Sequence, residues 1–278
     1  MRKTFAKILF VFLVVFALPG NSVFAAPAHY KKLAFRDEFN APEGAPVDST
    51  KWTAEIGGGG WGNQELEYYT NSPENAYHDG KGSLVIKAIK LAAPLSFNCW
   101  YGQCGYTSAR LVTKGKFEQK YGRFEARIKI PRGQGMWSAF WLLGSNIDTV
   151  GWAQCGEIDV MENIGREPST VHGTIHGPGY SGADGIGAPY NLPDNQLFAD
   201  DFHVYSIEWS SNEIRWFVDR KLYKTVTPQD IPQGAQWVYD HPFFVILNFA
   251  VGGNWGGNPD NTSVFPQTML IDYVRIYK

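Results

Sequence analysis

The sequence is poor in charge and in sulfur. Charged residues fill 19% of its 278 positions, cysteine occurs three times and methionine four. Hydrophobic residues make up 44%, which supplies a core and excludes an intrinsically disordered chain. Ala, Leu, Glu and Lys do not dominate, so a helical bundle or coiled coil is excluded as the main architecture. There is no phosphate-binding loop ending in Lys-Ser/Thr, no C-x-x-C pair and no H-E-x-x-H. Beyond the N-terminus no apolar run approaches the ~20 residues of a membrane-spanning helix. No Pro- or Ser-rich linker and no internal repeat divides the chain, and its length suits one large domain.

The N-terminus reads as a separate segment. Arg2, Lys3 and Lys7 precede the apolar run at residues 8–18, followed by Pro19-Gly20 and small residues near Ala25. This is the order of a secretory signal, so residues 1–26 are expected to be removed and residues 27–278 to form one secreted domain. Two small-residue sites, around Ala25 and around Ala28, fit the cut. The segment carries three bases and no acid, which leaves 22 Lys and Arg against 27 Asp and Glu and a net charge of −5. An acidic surface disfavours nucleic acid as a partner. No membrane partner is expected once the signal is gone, and the chain is expected to act as a monomer.

What the sequence has in abundance is glycine (30), proline (16) and 42 aromatics, ten of them Trp. Period-two alternation recurs along the chain. Leu84, Ile86 and Ala88 alternate in residues 82–89, Phe124, Ala126, Ile128 and Ile130 in residues 122–130, and Tyr205, Ile207 and Trp209 in residues 202–209. Residues 213–218, the nearly continuous apolar run 243–251 and residues 269–277 complete the series. Alternation bounded by Gly, Asn, Asp and Pro is the strand signature, and the expected fold is an antiparallel β-sandwich around a single core. Helical character is expected only in short turns, with residues 230–235 the best candidate.

Two loops hold a Trp between glycines and an amide: residues 57–63 around Trp61 and residues 252–258 around Trp255. With Trp137 and Trp141 they suggest a cleft with aromatic platforms, whose flat faces suit the apolar faces of sugar rings. Cys99 and Cys104 flank Trp100-Tyr101-Gly102-Gln103 and either close a small disulfide loop or remain thiols, while Cys155 reads as a buried apolar residue. His172 and His176 lie four apart, but two histidines do not make a zinc site.

The chemistry concentrates in Glu157-Ile158-Asp159-Val160-Met161-Glu162-Asn163. Alternation puts Glu157 and Asp159 on one face of a strand and Ile158 and Val160 on the other, with Glu162 facing away from Glu157. One β-bulge near Val160-Met161 returns Glu162 to the acidic face, four ladder steps or roughly 13 Å from Glu157 between Cα atoms. Leaning side chains then close toward the ~5–5.5 Å between carboxyl groups that a retaining glycosidase requires. Three acids on one face serve catalysis, hold a calcium ion or simply face water; a strand with apolar flanks suits calcium poorly.

This segment resembles the E-x-D-x-x-E signature of glycoside hydrolase family 16 in its bulged form. Residues 60–70 (GWGNQELEYYT), 106–116 (YTSARLVTKGK), 135–144 (GMWSAFWLLG), 171–182 (VHGTIHGPGYSG) and 248–257 (NFAVGGNWGG) are similar to family segments in the expected order, most of all to laminarinases, endo-acting β-1,3-glucanases. One departure is Ser138, where the family commonly has Pro. The resemblance implies a concanavalin-like β-jelly roll of two antiparallel sheets with an open cleft, a β-glucan polysaccharide as partner and a retaining mechanism. It implies Glu157 as nucleophile, Asp159 as assisting acid and Glu162 as acid/base. His176 is expected beside the acids or packed as a structural residue. Arg110, Asn63 and Glu65 are expected to bind sugar hydroxyls or to hold loops, alongside Trp61, Trp137, Trp141 and Trp255. The chemistry requires no cofactor, and the resemblance implies a structural calcium ion held by Glu38, the Gly82 backbone and Asp272. The alternatives are a noncatalytic glucan-recognition domain, whose relatives lack one or more of the acids, and an enzyme for mixed-linkage glucan or galactan.

Overall fold

A computed structural model describes residues 30–92 and 97–278, and the expected signal segment lies outside them. Two large sheets face each other. One is ordered, edge to edge, Ile186–Asn191, Thr170–His176, Glu157–Ile164, Met136–Gly144, Phe243–Val251, Arg110–Val112 and Thr53–Glu55. The other has ten strands built around the paired Gly122–Lys129 and Gln267–Tyr277. Adjacent strands run antiparallel, apart from the parallel pair Glu67–Tyr69 and Tyr106–Ser108. The expected sandwich is therefore present, and each expected strand appears with its ends moved by at most two residues.

The alternating residues point where the pattern requires. Leu84, Ile86, Ala88, Phe124, Ala126, Ile128, Tyr205, Ile207 and Trp209 are fully buried from one sheet, and Val245, Leu247, Phe249 and Val251 meet them from the other. Residues 230–235 are not helical. Pro232 has no amide hydrogen to donate, Gly234 takes φ +86°, and the segment closes as a turn from the Ala235 amide to the Pro232 carbonyl. Among the described residues the α-helical turn that does form is Ile147–Val150, which the sequence reading missed.

The acidic strand carries the expected bulge. Phe140 faces Met161 but Trp141 faces Asp159, so Val160 is the extra residue. Val160 and Met161 both enter the core, and Glu162 emerges on the same face as Glu157 and Asp159. Their partners on the neighbouring strand are Leu143 for Glu157 and Ala139 for Glu162, four ladder steps apart. Ser138 keeps regular register with Asn163 and Phe249, so the missing proline displaces nothing at Trp137.

One bond crosses the core to this bulge. Trp216, fully buried on the ten-stranded sheet, donates its indole N–H to the Asp159 carbonyl at 2.7 Å. Gly173, on the strand beside the acids, leaves it room: a Cβ there would lie 2.4 Å from Trp216 Cδ1. Replacing Trp216 with Phe removes the donor and leaves a buried carbonyl short of a partner, at a cost of about 2–3 kcal/mol. Urea unfolding should show that loss. A midpoint equal to the parent's would mean the bond contributes nothing to holding the bulge.

Candidate active site

The seven-stranded sheet presents its outer face as a cleft of about 820 Å³. Its lining comes from successive strands: His172, Thr174 and His176, then Glu157, Asp159 and Glu162, then Trp137, Ala139, Trp141 and Leu143, then Asn248, then Arg110. The cleft therefore crosses the strands, as it must to present side chains at one level of each. Trp61, Asn63, Glu65, Asn254 and Trp255 come from the two glycine-rich loops. All eleven residues expected at the catalytic and substrate sites line this one cleft.

The acids occupy its floor. Asp159 is 2% exposed, and Glu157 and Glu162 are partly covered. His176 faces Glu157 across the ladder and sets its Nε2 3.1 Å from Asp159 Oδ2 and 3.8 Å from Glu157 Oε1. Gly185 permits this placement, since a Cβ there would lie 2.4 Å from His176 Cε1. Of the two expectations for His176, the one beside the acids is what the structure contains. Trp137 is only 8% exposed and donates its indole N–H to Glu162 Oε1 at 3.1 Å, so it orients the acid more than it offers a platform. Trp255 packs edge-on against both Trp137 and His172.

Farther along the cleft, Arg110 lies between the rings of Trp61 and Trp141, its Cζ 4.8 and 4.7 Å from their centroids, and its Nε donates to Glu55. Glu65 is 3% exposed and accepts from Asn63 Nδ2 and Tyr69 Oη, so it braces the loop that carries Asn63. Beneath it Glu67 is fully buried, and burial together with the Glu65 charge pushes its carboxyl well above the usual range. Glu67 accepts the Val251 amide and so ties the Trp61 loop to the strand that leads to Trp255.

The sequence reading missed Trp152, Asn248, Tyr69 and Glu67. Trp152 donates its indole N–H to Glu157 Oε2 at 2.8 Å. Its signal was position alone, five residues before Glu157 on the loop entering the acidic strand. Asn248 accepts the Trp141 indole N–H at 2.7 Å and donates to Tyr69.

Asp272 lies on the other sheet, with Glu38 and Gly82 just beyond the ends of two neighbouring strands, where Ile271 faces Leu84 and Asp37 faces Val274. Both oxygens of Glu38 already accept from Arg275, and Asp272 accepts from Arg127. With each carboxylate neutralised by a guanidinium, these residues do not form a cation cage as arranged. Cys99 and Cys104 are joined as a disulfide, and Cys155 is a buried free thiol.

Burial is the largest influence on the titration of all three acids. Burial, then the Asp159 charge, pushes Glu157 up to about 8, opposed by His176, the Trp152 N–H and Arg110. Burial takes Asp159 to about 8 as well, opposed by its hydrogen bond with Glu157. Glu162 is raised well above its usual range by burial, then by the Asp159 and Glu157 charges, so folding favours its protonated form. A carboxyl whose pKa is raised by folding stabilises the fold at low pH and loses that contribution as pH climbs through the folded value. Stability should therefore fall between about pH 5 and pH 9, and Glu162→Gln, with one titration fewer, should flatten that slope. Thermal melts across this range test it; parallel slopes for parent and variant would contradict the assignment.

The comparisons with known proteins agree with this geometry. The sequence profile of Glycosyl hydrolases family 16 matches residues 63–275. The laminarinase catalytic domain of Thermotoga maritima MSB8 superposes with a TM-score of 0.82 at 50% identity, covering 89% of this chain and 98% of that one. A beta-glucanase of Rhodothermus marinus is 41% identical over 100% of this chain and 95% of its own length. Glucan endo-1,3-beta-glucosidase A1 of Niallia circulans is 42% identical over 88% of this chain, which spans only 38% of that longer protein. A profile spanning most of the chain and relatives of this identity leave one assignment: the chain belongs to glycosyl hydrolase family 16.

Proposed function

We propose that this chain is a secreted, monomeric, retaining endo-glycosidase that hydrolyses β-1,3-glucosidic bonds in β-glucans such as laminarin. The observation that carries the reading is the bulged strand, which brings Glu157, Asp159 and Glu162 onto the floor of one open cleft. The laminarinase relatives direct the choice of linkage. A cleft running across the sheet accepts the middle of a polymer, which suits endo cleavage.

In this reading the ionised form of Glu157, favoured by His176, the Trp152 N–H and Arg110 against the burial that raises its pKa, attacks the anomeric carbon. Glu162, still protonated, gives its proton to the departing glycosidic oxygen as that bond breaks. The glycosyl ester removes the charge of Glu157, one of the charges that keep Glu162 protonated, so Glu162 can take a proton from the incoming water. Water attacks the same carbon from the face the first sugar left, and the two inversions return the β configuration. Asp159, between the two, shares a hydrogen bond with Glu157 and adds the charge that holds the Glu162 proton. Because all three acids are in place, a noncatalytic glucan-recognition role is disfavoured. The double displacement draws on carboxyl groups alone.

Glu157→Ser should reduce laminarin hydrolysis by at least about a thousandfold while oligosaccharide binding stays measurable. Turnover near that of the parent would remove Glu157 as nucleophile. NMR of the first product should show β configuration at the new reducing end, and α product would falsify the double displacement. Among laminarin, lichenan, agarose and carrageenan, laminarin should be cleaved with the highest kcat/KM; a preference for lichenan or a galactan would move the specificity to the mixed-linkage or galactan enzymes.

A further inference from the structure

The disulfide-closed loop at Cys99–Cys104 has no part in the site described above, yet it carries two large aromatic rings into solvent. Trp100 is 49% exposed and Tyr101 40%, and the two rings meet edge to face at 5.4 Å. Leaving so much apolar ring surface in water is unfavourable, and a Trp serving only as an anchor would bury its ring. These rings are also held still. The Trp100 indole N–H donates to the Glu65 carbonyl at 2.8 Å, and the Trp100 amide donates to the Gly58 carbonyl. The Tyr101 hydroxyl donates to the Leu66 carbonyl at 2.6 Å and accepts the Gly105 amide. The Cys99–Cys104 bond closes the loop behind them.

Their place is the end of the cleft. The Trp100 ring lies against Gly60, where a Cβ would meet Trp100 Cδ1 at 2.8 Å, and Gly60 is followed by the cleft residues Trp61, Gly62 and Asn63. The acids stand on the third strand of the seven-stranded sheet and Arg110, stacked with Trp61, on the sixth. Three strand spacings put Arg110 about 14 Å from the acids, and Trp100 packs against the loop whose Trp61 stacks on Arg110. Only a chain of several sugars that already fills the floor reaches that far.

We propose that Trp100, supported by Tyr101, forms a distal subsite that stacks against a sugar ring of a long neutral glucan after it passes Trp61. This rests on the glucanase reading for the identity of the polymer. A ring fixed before the polymer arrives loses little freedom on binding, so its apolar face contributes affinity rather than spending it on ordering. The disulfide is then a support for specificity toward long chains.

Trp100→Ala should lower the ratio of kcat/KM on laminarin to kcat/KM on laminaritriose by about fivefold to tenfold, through KM on laminarin, and Trp100→Phe should recover much of it. A folded Trp100→Ala protein with the parent's ratio overturns the subsite, as does an equal loss on both substrates, which would make the ring a brace for Trp61. If Trp100→Ala does not fold, the full chain carrying Glu157→Ser decides. Its Trp100 indole N–H resonance should move on titration with laminarihexaose and much less with laminaritriose. Equal movement with both, or movement with neither, overturns the proposal. That titration involves no turnover, so a parent enzyme that leaves laminarin intact while the indole responds would remove the proposed reaction and keep the subsite.

Discussion

One extra residue in one strand, Val160, governs what the rest of the molecule can do. A regular strand would send Glu162 into the core, where an unpartnered carboxyl costs several kcal/mol. With the bulge, Val160 and Met161 both enter the core and Glu162 returns to the cleft. The disrupted ladder needs a replacement contact, and the opposite sheet supplies one through the Trp216 indole bond to the Asp159 carbonyl. The packing of the sandwich and the placement of the acids are thus one problem with a single solution.

The floor of the cleft combines mutual repulsion with selective relief. Burial raises all three carboxyls, while N–H donors and a histidine are dealt to them unequally: the Trp152 N–H to Glu157, the Trp137 N–H to Glu162, and His176 to Asp159 with Glu157 next nearest. Glu162 feels both other charges as well as burial, so its carboxyl stays raised. Around this centre the loops are braced from below by Glu65, Glu67, Tyr69 and Asn248, polar groups buried beneath aromatic walls. The tension on the floor costs stability at alkaline pH, and the well-packed core beneath tolerates it.

Much of this was legible in the sequence because strands write their faces with period two. Phe124, Ala126 and Ile128, or Val171 and Ile175 between His172, Thr174 and His176, state their orientation directly. The bulge was legible because three acids spaced 157, 159 and 162 make sense on one face only if a residue is added. The tandem of Trp61 and Trp255 in glycine-rich loops marked the walls. What stayed hidden depends on contacts between segments distant in sequence. Trp152 reaches Glu157 from a loop with no periodic pattern, and Asn248 sits in a strand otherwise read as apolar. Glu67 and Tyr69 follow an alternation too short to stand out. Trp137 lines the cleft as the pattern suggests, but its N–H on Glu162 has no signal in the sequence. Residues 230–235, the best candidate for a helical turn in the sequence, instead close as a turn around Pro232 and Gly234.

The void at Gly173 has a further consequence for how such a chain changes over generations. The space its missing side chain leaves is occupied by the Trp216 indole, and that indole holds the carbonyl at the bulge. A larger residue at 173 meets the ring, and a smaller ring at 216 leaves both a hole and an unanswered carbonyl. A bulge moved by one position leaves the indole with nothing to hold. Gly173, Trp216 and the bulge are thus coupled through one steric fit and one hydrogen bond, so a change at any of them is felt at the others. Variation is then directed outward to the loops, where the disulfide-closed segment and the glycine-rich turns can change length and ring content without touching the lock beneath them.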